Sequence, residues 1–475
     1  MLSQLLKKSP ESFQVIAKNL YSIIPFNVRL GYNYHRIYDL LQQSQWWSSK
    51  QHEEYQMMQL TKLLNHAYQN VPYYRKVFDE RALKPLNIQN FNDLKLLPFL
   101  TKQTILDNFD DMIATNIPEK QRYYATTGGT TGQQLKFYIH RNLSSQFEWA
   151  FMFSQWQRVG YDYKSSKRLV LRNNILPEGK LWVYDRLNNS LIFDPFHLSD
   201  DNIRKIIDKM NEVKIDFIHT YPSAITIICE FIKKTNYGLK YKPKAVLASS
   251  ENVYPGQREF VEKYLETRFY SWYGHSEQLI LAGECEHSNE YHIFPEYGIT
   301  EIVDINNKNI TEPNIKGELV GTGFNNYIMP FIRYKTDDWA TYSEDVNCKC
   351  KRNYKKLKSV DGRWLQEMIL TKSGNLISIT ALNMHSDIFD HVKQFQFYQD
   401  TKGICQFNIV KGENYSDCDE KRIYNELKKK LGDDIELKIC YKDSIARAKS
   451  GKYRFLDQKL KTGFDTGESC CDSGE

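Results

Sequence analysis

The chain has 475 residues, 41% of them hydrophobic, with 64 basic against 58 acidic side chains and a formal net charge of +6. That length exceeds what one hydrophobic core usually organises, so a large domain accompanied by a smaller one is expected. The mild positive excess is spread along the chain rather than gathered into a tail or stripe, which argues against nucleic acid as a partner. No apolar run approaches the roughly 18 residues of a membrane span.

Residues 1–100 read as a helical N-terminal region. The opening segment "LLKKSPESFQVIAKNLYSIIPF" is basic and partly amphipathic, and a core-packing helix is expected there, with peripheral membrane contact as the alternative. It lacks a signal peptide's compact apolar core and cleavage site, so a cytoplasmic protein is expected. Farther on, Leu60, Leu63, Leu64, Ala67 and Tyr68 recur at helical spacing until Pro72 breaks the pattern.

From 101 to 362, β-rich runs such as "KRLVLRN", "KAVLAS" and "TRFYSWYG" alternate with helical stretches such as "DDNIRKIIDKMNEV" and "GQREFVEKYLET". The alternation predicts an α/β domain with mainly parallel strands, whose ligands bind beyond the carboxyl ends of the strands. Residues 363–475 change to strands ("QFQFYQ", "ICQFNIV", "IELKICY") around the helix "DEKRIYNELKKKLG", a compact α+β unit.

Nine cysteines at irregular spacing do not form a disulfide framework. Cys229, Cys405, Cys418 and Cys440 read as ordinary thiols, and Cys470 and Cys471 sit in a polar tail expected to be disordered.

Four segments carry chemistry. Thr126, Thr127, Gly128, Gly129, Thr130, Thr131 and Gly132 form an uninterrupted Gly/Thr run before "LKFYIH". Its glycines let backbone N–H groups turn toward an anion and its hydroxyls add donors, so it reads as a phosphate cradle, with a surface turn as the bland alternative. It is not a Walker A loop, because no Gly-Lys-Ser/Thr follows. "SWYGHSEQ" supplies Tyr273 to stack on a purine, Ser276 to meet a phosphoryl oxygen and Glu277 to hold Mg²⁺. "PFIRYKTDDWA" supplies Asp338, a carboxylate able to accept two vicinal ribose hydroxyls. "ARAKSGKYRFLDQKL" supplies Lys452, a compact charge on a loop. Alone, the first of these last three reads equally as a strand-end turn, while a charged turn and a solvated basic face are the commoner readings of the other two.

In this order and with these separations the four segments resemble the adenylate-forming superfamily of acyl-coenzyme A synthetases. Thr127 to Gly132 resembles its phosphate loop, Tyr273-Gly274-His275-Ser276-Glu277 its Tyr-Gly-x-Ser/Thr-Glu motif, and Tyr334 to Asp338 its ribose motif. Gly362-Arg363 resembles its hinge pair, and Gly451-Lys452 its C-terminal lysine motif. "LLNHAYQNVPYYRKVFDE", "LPFLTKQTI", "GECEHSNEYHIFPE" and "GRWLQEMILTKSGNLISITALNMHSD" are similar to the phenylacetate–coenzyme A ligase family, and within it to the members associated with capsular polysaccharide biosynthesis.

That resemblance implies an α/β fold with a large N-terminal adenylate-forming domain, its mainly parallel sheets flanked by helices, and a small mobile α+β C-terminal domain. It implies an ATP- and Mg²⁺-dependent ligase that makes an acyl-adenylate from a small-molecule carboxylate and passes the acyl group to a thiol, coenzyme A being the expected co-substrate. An acyl- or aminoacyl-transferring ligase forming an amide on a sugar or carrier is one alternative, and a catalytically silent scaffold of a polysaccharide assembly complex another; peripheral contact with that machinery is conceivable in each case. The implied catalytic set is Lys452, Ser276 and Glu277. The implied cofactor-binding set is Thr127, Gly128, Gly129, Thr130, Thr131, Gly132, Tyr273, Gly274, Asp338 and Arg363, together with Ser250 and Glu251 directly after "KAVLAS". Two departures stand out: "QQLKF" follows Gly132 where a proline and a lysine are usual, so that Lys136 is the nearest substitute, and Trp364-Leu365-Gln366-Glu367 occupies the hinge where an aspartate is usual.

Cys285 and His292 in "CEHSNEYH" and the C-x-C pair Cys348 and Cys350 offer three thiolates and an imidazole, a structural Zn²⁺ set. His287 competes with His292 for the fourth position, and buried thiols beside surface histidines are the alternative.

Overall fold

A computed structural model describes residues 26–127, 135–172, 174, 176, 179–345, 347–361, 367–382, 387–445 and 455–460. Outside them lie several features expected from the sequence: the opening amphipathic segment up to residue 25, Gly128, Gly129, Thr130, Thr131 and Gly132, the hinge residues Gly362 and Arg363, the Gly451-Lys452 pair, and the tail with Cys470 and Cys471.

The N-terminal region is helical. Helix Ser49–Asn70 starts at a reciprocal capping box, in which the Gln51 amide donates to Ser48 Oγ (3.3 Å) and the Ser48 amide to Gln51 Oε1 (2.9 Å). Its predicted face, Leu60, Leu63, Leu64 and Ala67, is buried against Val71, Tyr74 and Phe78 and against Leu279, Leu319 and Met329 beneath. Pro72 opens the next helix, Pro72–Glu80, where its missing N–H is one of the unpaired first-turn donors in any case.

Strands β1 (Arg122–Thr126) and β2 (Lys136–His140) pair antiparallel and flank the Gly/Thr run. The strands that follow are β3 (Arg168–Leu171), β4 (Trp182–Asp185), β5 (Ser190–Phe193), β6 (Phe217–Thr220), β7 (Ala245–Ala248) and β8 (Arg268–Gly274). After them come β9 (Leu281–Gly283), β10 (Tyr291–Ile293), β11 (Gly298–Val303), β12 (Lys316–Gly323), β13 (Tyr334–Tyr342) and β14 (Lys356–Asp361). These last twelve form one sheet in the order β11-β12-β13-β14-β10-β9-β8-β7-β6-β3-β5-β4.

The sheet is mixed where the alternating pattern had led us to expect mainly parallel strands. Only β8-β7-β6-β3-β5 run parallel. Helices Asp200–Val213, Pro222–Thr235 and Gln257–Leu265 provide the crossovers there, whereas the strands beyond residue 280 are joined by connections without a helix and pair antiparallel. The crossover helices are held by apolar stripes: Asp200–Val213 buries Ile203, Ile206, Ile207 and Met210, each side chain contributing about 1.5–3 kcal/mol. Leu171 pairs with Thr220, Thr220 with Ala248 and Ala248 with Ser271, so β3, β6 and β7 finish level beside Ser271 of β8, which runs on to Gly274, and the residues just past this level share one edge.

Beyond residue 367, β15 (Met368–Leu370) and β16 (Leu376–Ser378) form a hairpin. Strands β17 (Val392–Thr401), β18 (Ile404–Lys411), β19 (Glu436–Tyr441) and β20 (Leu456–Gln458) form a sheet ordered β19-β18-β17-β20. Helix Asp417–Leu431, boxed at its start by Ser416 and Asp419, packs Ile423 and Leu427 among Phe395, Phe407 and Phe455. This apolar cluster is continuous with Phe193, Ile206 and Ile225 of the parallel half. Lys136 Nζ also meets Asp390 Oδ1 at 2.9 Å, which ties the β1–β2 hairpin to the C-terminal part of the chain.

Candidate functional site

A cleft of about 600 Å³ opens at the level carboxyl ends of the parallel strands. Thr127, Ser250, Glu251, Tyr273, Gly274, Ser276, Glu277 and Asp338 all line it, so residues from every described segment of the expected nucleotide set converge on one space.

Thr127 is the last described residue before the loop. Its amide donates to the Leu135 carbonyl (2.9 Å) and the Leu135 amide donates back to Thr127 Oγ1 (3.2 Å). The two bonds clamp the stems, so the loop leaves and re-enters at one point on the cleft's edge.

Tyr273 is the next-to-last residue of β8, and its hydroxyl donates to Asp338 Oδ2 at 2.8 Å. Asp338 reaches that position through a bulge: β13 sets Thr336, Asp337 and Asp338 against the single residue Leu319 of β12. Asp337 takes φ +60° there, Thr336 Oγ1 donates to the Leu319 carbonyl (2.8 Å), and the Asp338 amide donates to Thr336 Oγ1 (3.2 Å). A bulge re-aims a side chain that regular pleating would point elsewhere. Past Tyr273, Ser276 is exposed and Glu277 is 2% exposed, with His275 Nδ1 3.2 Å from its Oε2. A buried carboxylate lining this cleft, beside the His275 imidazole, is a suitable hard oxygen ligand for Mg²⁺.

Ser250 sits at φ +72° just after β7, and Glu251 is buried behind it, accepting from the Ser223 amide (2.9 Å), Ser223 Oγ (2.8 Å) and Ser378 Oγ (2.8 Å). The Glu251 carboxylate therefore bridges the first turn of helix Pro222–Thr235 to β16 and braces the cleft wall that it lines.

Arg172, His219 and Glu148 line the cleft outside the motifs. Arg172 follows β3 directly and donates to His219 Nε2 (2.6 Å), Ser249 Oγ (3.2 Å) and Ser250 Oγ (2.6 Å). Burial, with Arg172 and Arg168 nearby, holds His219 well below the usual imidazole range, so it is neutral. Glu148, on helix Leu143–Trp156, accepts from the Tyr297 hydroxyl. Burial pushes its carboxyl up to about 7, against the smaller opposing effects of that bond and of His275. Trp149, Met152, Trp156 and Trp272 make the inner wall apolar. A rule that ligands meet strand ends would have flagged Arg172, and a lone acid inside "QFEWAFMF" would have flagged Glu148.

The structure also gathers the cysteine set. One ligand atom from each of Cys285, His292, Cys348 and Cys350 lies within 4.8 Å of all the others. Cys285 and Cys348 sulfurs are 3.5 Å apart, and Cys350 Sγ is 3.3 Å from His292 Nε2. Tetrahedral Zn²⁺ with bonds of about 2.0–2.3 Å sets its ligand atoms roughly 3.3–3.8 Å apart, and these spacings fit. His292, fixed in β10 opposite Lys356 and Gly283, belongs to the group. His287 does not; its amide donates to Cys285 Sγ at 3.3 Å instead.

The fold is that of the adenylate-forming ligases. It superposes on 2-hydroxyisobutyryl-CoA ligase, solved in complex with 2-HIB-AMP and CoA in the thioesterification state, with a TM-score of 0.54 at 16% identity, over 87% of this chain and 91% of that one. Residues 369–459 match the family model described as the CapK C-terminal domain. In sequence the chain is 24% identical to Protein CapK of Staphylococcus aureus over 417 residues, 86% of this chain and 89% of that protein. It is 23% identical to phenylacetate-coenzyme A ligase of Aromatoleum evansii over 432 residues, 86% and 96% of the two chains.

Proposed function

We propose that this protein is an ATP-dependent, AMP-forming ligase that adenylates a carboxylic acid and transfers the acyl group to a thiol, coenzyme A being the acceptor. The observation that carries the proposal is the convergence of Thr127, Tyr273, Glu277 and Asp338, which are remote in sequence, on one cleft at the parallel strand ends. In the first step a carboxylate oxygen attacks the α-phosphorus of ATP and pyrophosphate leaves. In the second a thiolate attacks the acyl carbon and AMP leaves. Tyr273 and Asp338 hold the nucleoside, the former across the adenine and the latter at the ribose hydroxyls. The loop from Thr127 to Gly132 holds the β- and γ-phosphates, Ser276 meets the α-phosphate or carboxylate, and Arg363 approaches the nucleotide. Lys452 supplies fixed positive charge at the phosphorus in the transition state, the kind of preorganised electrostatic effect that dominates phosphoryl chemistry. Glu277 would hold Mg²⁺, which neutralises triphosphate charge.

The reading includes a large domain spanning residues 1–100 and 101–362 and a small domain from 363 that turns between the two steps. Cys285, His292, Cys348 and Cys350 would hold a structural Zn²⁺ that pins β9 and β10 to the turn before β14. We place the reaction in the cytoplasm and in capsular polysaccharide biosynthesis; the likeness to Protein CapK supports the second. Among the described residues no helix is long and apolar enough to cross a membrane.

The test is carboxylate-dependent ATP–pyrophosphate exchange across aryl, fatty, amino and sugar acids, followed by thioester formation with coenzyme A. Lys452→Ala is expected to lower exchange by about 10²-fold or more at unchanged melting temperature. Unchanged exchange in that variant removes the lysine's role, exchange without thioester points to an amine acceptor, and no exchange with any acid removes the adenylating activity.

A further inference from the structure

The cleft is lined by a cation that the adenylation chemistry above does not use. Arg172 stands at the carboxyl end of β3, where the chain leaves the sheet, and lines the cleft together with Trp149, Trp156 and Trp272; its partner His219 lies against the Trp156 and Trp272 rings. Its guanidinium is fixed in place: Nη1 donates to His219 Nε2 and Ser249 Oγ, Nη2 to Ser250 Oγ, and the Tyr221 ring lies 4.9 Å from Cζ.

All four of these partners are neutral. His219 accepts through an uncharged imidazole, because burial and the charges of Arg172 and Arg168 oppose its protonation. Elsewhere in the molecule Arg258, Arg333 and Arg352 each reach a glutamate, Glu284, Glu301 and Glu286 respectively. Among the described residues no carboxylate forms an ion pair with Arg172, and the acids lining the same cleft are engaged otherwise. Glu251 accepts from Ser223 and Ser378, Asp338 from Tyr273 and Glu148 from Tyr297, while Glu277 faces His275. A half-buried charge without a counter-ion is costly, and a guanidinium held by neutral acceptors keeps its charge for a ligand. Of its five N–H donors three are taken, which leaves two, Nε–H among them, for a second anion.

We infer that the acid activated here carries a second anionic group, such as a carboxylate, besides the one that is adenylated, and that Arg172 receives it, with a flat or apolar spacer lying along the tryptophan wall. Arg172 is then the residue that sets specificity. The inference rests on the adenylating reading of the same cleft.

The experiment uses matched acids on the full chain: hexanoate against adipate, and phenylacetate against 4-carboxyphenylacetate. Wild type, Arg172→Gln and Arg172→Lys are compared in ATP–pyrophosphate exchange, with KM for acid and for ATP measured separately. Binding of the same dicarboxylates to the nucleotide-free protein is followed by calorimetry. In the wild type at least one dicarboxylate is expected to exceed its monocarboxylate partner in kcat/KM by about 10-fold or more. Arg172→Gln is expected to erase that preference through the acid's KM, with the ATP KM unchanged. Arg172→Lys, which keeps the charge but not the planar fork, retains part of it, and carries the comparison if the glutamine variant does not fold. A wild-type preference for the monocarboxylates, an equal loss for both members of each pair, or a rise in the ATP KM instead overturns the assignment. If no acid supports exchange, the adenylating reading is what fails, and calorimetry then decides the subsite alone. Dicarboxylate binding lost in Arg172→Gln sustains it, and absent or equal binding overturns it.

Discussion

Glu148 offers a test of the cleft's electrostatics that needs no substrate. Its carboxyl is enclosed by Tyr297, which donates to it, with His275 the nearest other titrating group, and burial raises its pKa from 4.5 to about 7. Below pH 4.5 both the folded and the unfolded chain hold this proton, and above about 7 both have released it. Between those limits the folded chain keeps a proton that the unfolded chain has lost, so stability falls as pH rises through the window. At about 1.36 kcal/mol per pH unit the full loss would be about 3 kcal/mol. Because the side chain borders an open cleft, water relieves part of this, and a loss of about 1–3 kcal/mol is expected. Glu148→Gln fixes the neutral form and keeps an acceptor for Tyr297. The assay is urea unfolding of nucleotide-free wild type and variant at half-unit steps from pH 5 to 8, read as the difference between the two so that other titrating groups cancel. The variant should gain on the wild type steadily up to about pH 7 and then hold its lead. A difference that is flat across the range refutes the burial argument, and one that falls shows the carboxylate to be stabilised by a cation instead.

Two further outcomes follow from the geometry. Protein purified without chelator should contain about one Zn²⁺ per chain, and Cys350→Ser should lose it and melt at least several degrees lower; no metal in the wild type by mass spectrometry refutes the site. Lys136 and Asp390 are each 29% exposed on the side chain, so a double-mutant cycle in urea should give a coupling of about 0.5–1 kcal/mol. Lys136→Ala should also leave pyrophosphate exchange within about threefold, since its charge is engaged by Asp390; a loss beyond 100-fold would assign that lysine to the phosphates instead.

What could be read from the sequence follows from how locally each feature is encoded. The stripe Leu60, Leu63, Leu64 and Ala67 is a property of one helix, and the βαβ alternation from β5 to β8 is a property of neighbouring segments, so both were visible in the letters. The antiparallel half was less visible, because strands such as β12, buried along seven of eight positions, show no alternation that separates them from parallel ones. The motif resemblance singled out Asp338 over Asp337, but not the device that turns it to the cleft: the bulge opposite Leu319 does that, and it depends on β12 as much as on β13. The choice of His292 over His287 likewise rests on the register of β10 between β9 and β14.

Glu148, Arg172 and His219 form the harder class. They come from a helix, a strand end and a strand, and no spacing relates them, yet they meet in one space with the tryptophan wall. The division has a chemical reason. On the proposed reading the nucleotide, the same ligand for every adenylating protein, meets the short contiguous run Tyr273 to Glu277 and other motif segments. An acid differs from one such protein to the next, and single side chains projecting from separate elements can adapt to it without disturbing those runs. Of Glu148, His219 and Arg172, it is Arg172 that combines a permanent charge, a rigid neutral setting and donors left over for a ligand.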